Sequence, residues 1–225
     1  MQKKSKNASD LEILAALPVQ VEVLFLKDHF SDYKNPIKKI FDLKQKGYLF
    51  LVKRGHYLNL KSQDCKTVKL EHLANMLYFP SYVSGAWALQ YHGLLMERVY
   101  TVTSVTTRRS AKFKTPMGIF SFEHLYQRRY PHGYVMETFD DQNFFIARPH
   151  KALLDMIHFR VKKVRWTSKK EIEEFLVEDL RLNLEMFLSM VRPEELTELM
   201  PFYHRNSKEA RILKWLKMKQ RGKYA

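Results

Sequence analysis

Residues 81–109, SYVSGAWALQYHGLLMERVYTVTSVTTRR, gather Ser81, Ser84, His92, Glu97, Arg108 and Arg109, the side-chain types from which a hydrolytic or transfer centre is assembled. A serine nucleophile needs a base within hydrogen-bond reach. Phosphoryl chemistry on nucleic acid needs carboxylates converging on a divalent metal. The chain has no Gly-Ser followed by Asp-x-Asp, no His-Glu-x-x-His and no phosphate-binding glycine loop. Asp140-Asp141 falls in an expected hairpin turn, where paired acids are structural. Local grammar reads the stretch differently. Ser81 or Ser84 caps a helix that runs to Tyr91, with Ala86, Leu89 and Trp87 inside, and His92-Gly93 closes it. A strand over 99–107, with Val99, Val102 and Val105 imperfectly in period, then leads to Arg108 and Arg109. No catalytic residue, metal or cofactor is expected, and the chain reads as a non-enzyme.

The second group of residues able to do chemistry is basic. The net charge is +15, concentrated in residues 1–60, 98–165 and 203–225, with a neutral segment and the acidic segment 171–198 between them. This is the footprint of a nucleic-acid partner. Asn35-Pro36 predicts a helix over 36–46, because Asn caps well and Pro suits the first turn, where its missing N–H costs nothing. Ile37, Ile40, Phe41 and Leu43 form its expected buried stripe. Lys34, Asn35, Lys38, Lys39, Gln45 and Lys46 share the opposite face, with Asp42 the only acid among them. Strands over 48–52 and 56–60 follow, joined by Lys53-Arg54-Gly55.

Helix, helix, basic helix and basic-tipped hairpin is the order of a winged helix-turn-helix. On that reading Lys34, Lys38, Lys39, Lys46, Lys53, Arg54 and His56 meet phosphate, while Asn35 and Gln45 read base edges. The bland alternative is a solvated lysine face. Arg108 and Arg109, with Lys112 and Lys114, form a second basic ridge suited to phosphate or an acidic partner.

An apolar content of 45% and 13% aromatic residues support a sizeable core in 225 residues. MQKKSKNASD lacks the apolar stretch of a signal peptide, and no run is long enough to span a membrane. Cys65 alone builds no disulfide or zinc framework, so a cytoplasmic setting is expected. The fold class is α+β: a winged helix-turn-helix over 1–65, then an α+β domain over 66–225 with a mostly antiparallel sheet and C-terminal helices.

Further helices are expected over 21–30, with Val23, Leu24, Leu26 and Phe30 inward, and over 67–78, with Val68, Leu70, Leu73, Met76 and Leu77 as its stripe. Strands are expected over 111–115, 119–124, 134–138 and 144–147, and a buried helix over 148–159 with Lys151 and Asp155 as a local ion pair. A helix capped by Ser168 and Glu171 runs on through Leu188, a short one follows Pro193, and a basic amphipathic one spans 207–219.

With these residues in order, 81–109 together with FKTPMGIFSFEHL and IARPHKALLDMIHF resembles the antitoxin component of AbiE-type, type IV toxin–antitoxin systems over residues 25–160. The shared pattern runs through Ser81, Ser84, Ala88, Leu89, His92, Gly93, Leu94, Glu97, Thr103, Thr106, Thr107, Arg108 and Arg109, and later through Lys151 to Asp155. The chain departs from it at Pro149-His150, where the family commonly has Pro-Glu. The resemblance implies a winged helix that binds the operon's own promoter at an inverted repeat, as a dimer or two monomers. It also implies a second domain that neutralises a nucleotidyltransferase-type toxin, by contact or through the toxin's target. The competing readings are a solitary DNA or RNA regulator without a toxin and, last, a nucleic-acid-modifying enzyme. For RNA, the aromatic segment 120–134 with Arg128 and Arg129 would stack single strands, unless those rings are ordinary core.

Overall fold

The computed structural model describes residues 9–161, 166 and 168–223, with side chains as far as residue 220. The basic N-terminal residues 1–8, and Lys162, Lys163 and Arg165 of the middle basic block, lie outside them. Helix α1 (Asp10–Ala15) opens on a capping box: Ser9 Oγ accepts from Glu12 N at 3.3 Å, and Glu12 Oε2 accepts from Ser9 N at 2.7 Å. Strand β1 (Gln20–Glu22) leads directly into α2 (Val23–His29), so the helix expected over 21–30 starts late. Val21 is buried opposite Tyr57 while Gln20 and Glu22 are not, the two-sided alternation of a strand. Leu26 and Phe30 enter the core, but Leu24 is 71% exposed rather than inward, on a side of α2 left uncovered among the described residues.

Helix α3 (Pro36–Gln45) forms as its sequence predicts, with Asn35 Oδ1 accepting from Lys38 N at 3.0 Å. Only half of its expected stripe is buried. Ile40 and Leu43 are inside, while Ile37 and Phe41 remain 60% and 53% exposed. The four apolar residues wrap too far around the helix for one packing face, and the small core beneath meets only the Ile40–Leu43 side. Strands β2 (Leu49–Lys53) and β3 (His56–Asn59) make the hairpin, and β1 adds outside β3 to give the order β1-β3-β2. Gly55 turns the tip at φ +81°, a conformation that a Cβ would strain. Buried Asn59 ties the layers together, its Nδ2 donating to Leu14 O at 2.7 Å.

Helix α4 (Leu70–Leu77) leads to a second sheet of order β6-β7-β5-β4-β9-β8. Leu73 and Leu77 are buried, whereas Met76, expected in the stripe, is exposed. The strands are β4 (Ser81–Val83), β5 (Thr101–Thr106), β6 (Ala111–Thr115), β7 (Gly118–His124), β8 (Tyr134–Phe139) and β9 (Gln142–Ala147). Neighbours β4/β5, β6/β7 and β8/β9 are antiparallel, but β4/β9 and β5/β7 are parallel. Ser81 therefore opens a strand, and only Ser84 precedes helix α5 (Gly85–Tyr91). The imperfect alternation of β5 reflects burial on both faces. Thr103 turns to the α5 side, where its hydroxyl bonds Ser84 O, and Ser104 turns to the side where Tyr78 packs on Phe122.

Helix α6 (Pro149–Arg160) lies against α5 and is buried from His150 to Ile157. The long helix expected after Ser168 is broken. Ser168 caps α7 (Lys169–Glu174), a π-helical turn covers Phe175–Asp179, and the chain reverses at Arg181, φ +50°. A bridge between Leu182 and Leu95, and Asn183 N donating to Leu94 O at 2.9 Å, draw the backbone to the segment after α5 before α8 (Leu184–Met190) begins. Helices α9 (Pro193–Leu199) and α10 (Lys208–Lys223) finish the chain, and α10 packs Ile212, Leu213, Trp215 and Leu216 inward. Among the described residues no helix is long and apolar enough to cross a membrane.

At the centre of the larger core lies a buried ion pair. Lys151 Nζ and Asp155 Oδ1 are 2.7 Å apart, and Asp155 Oδ2 accepts from Tyr82 Oη at 2.9 Å and Ser84 Oγ at 2.8 Å. Gly133 makes room for it: a Cβ there would stand 2.8 Å from Lys151 Cβ. A second pair, His158 Nδ1 with Glu209 Oε1 at 2.7 Å, ties α10 to α6. Burial pushes the Glu209 carboxyl up, yet the His158 hydrogen bond and neighbouring donors outweigh it and hold the pKa at about 2.

Replacing Asp155 with Ala leaves Lys151 buried without a partner, and a urea titration is expected to show a loss of about 3–5 kcal/mol. A loss under about 1 kcal/mol would contradict the central role of the pair. Because the folded pKa of Glu209 is depressed, its contribution is present above the unfolded carboxylate value of 4.5 and is lost as pH falls towards about 2. Acid unfolding of Glu209→Gln should therefore be less steep across that window than that of the parent.

Candidate nucleic-acid interface

The exposed side of α3 is set by what α1 occupies. Asp10 accepts from Lys39 and, at 2.9 Å, from Lys46, and the Lys39 side chain is only 17% exposed. Lys39 Nζ also lies 4.7 Å above the Tyr33 ring. Burial pushes the Asp10 carboxyl up, but the two lysine hydrogen bonds prevail and hold it below its usual value. Lys39 and Lys46 thus anchor α1 to α3. At about 3.6 residues per turn, Ile37, Phe41, Lys44 and Gln45 share the opposite, open side, with Lys38 and Asp42 at its edge. All six are exposed. Among them Lys38 and Lys44 have no ion-pair partner in the described residues. Asn35 is held in place by its capping bond, so its Oδ1 is not free for a base edge.

The hairpin tip turns towards the C-terminus of α4. Lys53 Nζ donates to Leu77 O at 2.8 Å and lies 5.3 Å from the Tyr78 ring centroid, whose other visitor is the Arg108 guanidinium at 4.7 Å. Burial and the neighbouring Arg108 charge pull the Lys53 pKa down. Arg108 also donates to Phe79 O at 3.2 Å. His56 faces Glu22 across the β1/β3 pair, Nδ1 to Oε1 at 3.8 Å. Arg54, Arg109 and Lys34 remain exposed, and among the described residues no partner engages their side chains, while the Arg109 carbonyl accepts from Tyr78 Oη at 2.9 Å. The structure thus joins two regions that the sequence keeps apart: the tip at 53–54 and the strand end at 108–109 meet at one basic seam.

The expected ridge of four does not form as a unit. Lys112 pairs in register with Ser121 and lines a groove of about 600 Å³ with Thr101, Thr103, Asp155 and Arg160, and alternation turns Lys114 the same way. Arg108 belongs to the seam instead. The aromatic segment 120–134 is not a stacking platform either. Phe120 and Phe122 are buried, Tyr130 and Tyr134 pack on Tyr82, and Arg129 lies over Tyr203, leaving Tyr126 exposed.

The polar groups of 81–109 go to separate places. Ser84 bonds Asp155, His92 Nε2 meets Ala147 O at 2.8 Å at the α5 C-terminus, and Glu97 pairs with Arg181 at 2.6 Å. His150, in the position where the resembling family has an acid, is buried, and burial pulls its pKa down to about 4. An acid stands nearby from another element, since Glu195 of α9 pairs with Arg148. Among the described residues no cluster of His, Cys, Asp or Glu could hold a metal ion. What sequence reasoning missed is Lys44 and the exposure of Ile37 and Phe41. The one available signal was Asp10, an acid early in a helix with two lysines within reach once folded.

No family model matches the chain, and no curated protein matches it.

Amine acylation read by mass spectrometry tests the placement of these lysines. Lys38 and Lys44 should react several times faster than Lys39, and Asp10→Asn should bring Lys39 up to their rate. Equal rates in the parent protein would contradict the anchoring role.

Proposed function

We propose that the protein is a DNA-binding antitoxin that represses its own operon and neutralises a nucleotidyltransferase-type toxin. The observation that carries the DNA reading is the open side of α3, where Lys38, Lys44 and Gln45 stand uncovered. The element order supports it: a helix, a strand, two helices and a hairpin paired back onto that strand is the order of a winged helix-turn-helix. In this reading α3 enters the major groove and Arg54 and Arg109 meet phosphate on either side of the basic seam. Lys39, Lys46 and Lys53 act indirectly, by fixing α3 and the hairpin. Two copies on an inverted repeat would place their α3 helices about 34 Å apart. The assignment of toxin neutralisation to the residues after about 66 rests on the resemblance to AbiE-type antitoxins.

Fluorescence anisotropy with duplex from upstream of the gene tests the reading. Binding should weaken steeply with salt, and Lys38→Ala, Lys44→Ala and Arg54→Ala should each lower the slope of log K against log salt by about 0.9. Absence of binding at low salt, or slopes unchanged by all three substitutions, would sink it. Co-purification with the product of a neighbouring nucleotidyltransferase gene, or rescue of cells expressing that product, tests the antitoxin part separately.

A further inference from the structure

We propose that α3 recognises thymine, with Ile37 and Phe41 contacting the C5-methyl groups that A·T pairs present in the major groove. The proposal rests on the DNA-binding reading above and adds which chemical feature is read. Ile37 and Phe41 are four residues apart on one side of the helix and are 60% and 53% exposed. Neither contributes to the core below, which Ile40 and Leu43 close. Adjacent on one side of a helix, they make a joint apolar patch rimmed by polar residues, the kind of surface that marks an interaction site.

The surroundings specify that partner. Lys34, Lys38 and Lys44 border the pair, Lys46 lies on the flank with Asp10, and Asp42 is the only acid on the exposed side of α3. A cationic frame around an apolar centre complements a polyanion with an apolar group inside it. Duplex DNA offers that combination in the major groove, where the thymine methyl is the one apolar feature of the base edges. Gln45, four residues beyond Phe41 on the same side, has an amide that fits the N6 and N7 of adenine in a bidentate pair. Phe41 and Gln45 together read the two strands of A·T pairs.

The test uses the full chain and a random-sequence duplex library. Selected duplexes are expected to be enriched in A·T pairs, and replacing single thymines by deoxyuridine removes only the methyl. One or two positions in each half-site should then lose about fourfold in affinity per methyl. In Ile37→Ala or Phe41→Ala that deoxyuridine penalty should vanish at the position read, with the salt slope unchanged. Both residues are exposed, and an unaltered urea midpoint would show that the variants fold. Tight duplex binding with no deoxyuridine penalty at any position overturns the thymine reading and leaves DNA binding standing. Failure to select any duplex overturns both. A penalty that persists in both variants, with Phe41→Ala instead abolishing association with a partner protein, overturns the assignment of this surface to DNA.

Discussion

The buried Lys151–Asp155 pair fixes the arrangement around the larger core. Two charges removed from water are tolerated only when the geometry is good and the remaining lone pairs are satisfied. Asp155 meets that condition with donors from three places: Lys151 on its own helix, Tyr82 on β4, and Ser84 at the entrance of α5. Strand, turn and helix must therefore converge on one carboxylate. Tyr130 and Tyr134 close over Tyr82, and Gly133 passes where a side chain would collide with Lys151. The Thr103 hydroxyl and the His92 ring extend the same frame by bonding the Ser84 and Ala147 carbonyls. This is why residues 81–109 carry so many polar side chains. Ser84, His92, Glu97 and Thr103 are spent on architecture, each with its own partner, whereas the buried Ser81 and Ser104 hydroxyls have no hydrogen-bond partner among the described residues and Arg109 stays exposed.

A smaller constraint of the same kind governs the elements around the smaller core. Asp10 collects Lys39 and Lys46, and in doing so decides which side of α3 is closed. A lysine-rich helix offers no such distinction by composition. Once α1 has claimed one flank and the core the next, the remaining side holds Ile37, Lys38, Phe41, Lys44 and Gln45. The hairpin is oriented by a comparable anchor, Lys53 on the Leu77 carbonyl beside Tyr78 and Arg108. That contact brings the hairpin tip beside Arg108, and Arg54 and Arg109, next to them in the chain, are exposed.

Local signals were legible wherever one residue type has one strong conformational meaning. Asn35-Pro36 started α3, Ser168 capped α7, Gly55 turned the hairpin, and Asp140 and Asp141 took positive φ at the β8–β9 turn. Apolar spacing located the buried helix α6 and the inward side of α10. The same spacing misled at Leu24, Ile37, Phe41 and Met76, because periodicity names the apolar residues but not how much of the helix its neighbours cover. The long helix expected after Ser168 failed for a related reason. The pull of the Leu94 and Leu95 backbone on Leu182 and Asn183 is a contact between distant segments and leaves no local mark.

By itself the sequence determined the α+β class, the Lys151–Asp155 spacing, the inventory of basic residues and many of the element types, though not the short strands β1 and β4 or the break after α7, since what it determined follows from propensities or from offsets along one chain segment. Tertiary structure alone decided which cations are free. Lys39 and Lys46 went to Asp10, Lys53 and Arg108 to the seam around Tyr78, and Lys112 to a groove beside α6. A long charged side chain takes its role from whichever carboxylate, carbonyl or ring the fold brings within a few ångströms, and residues far apart in the chain supply those partners.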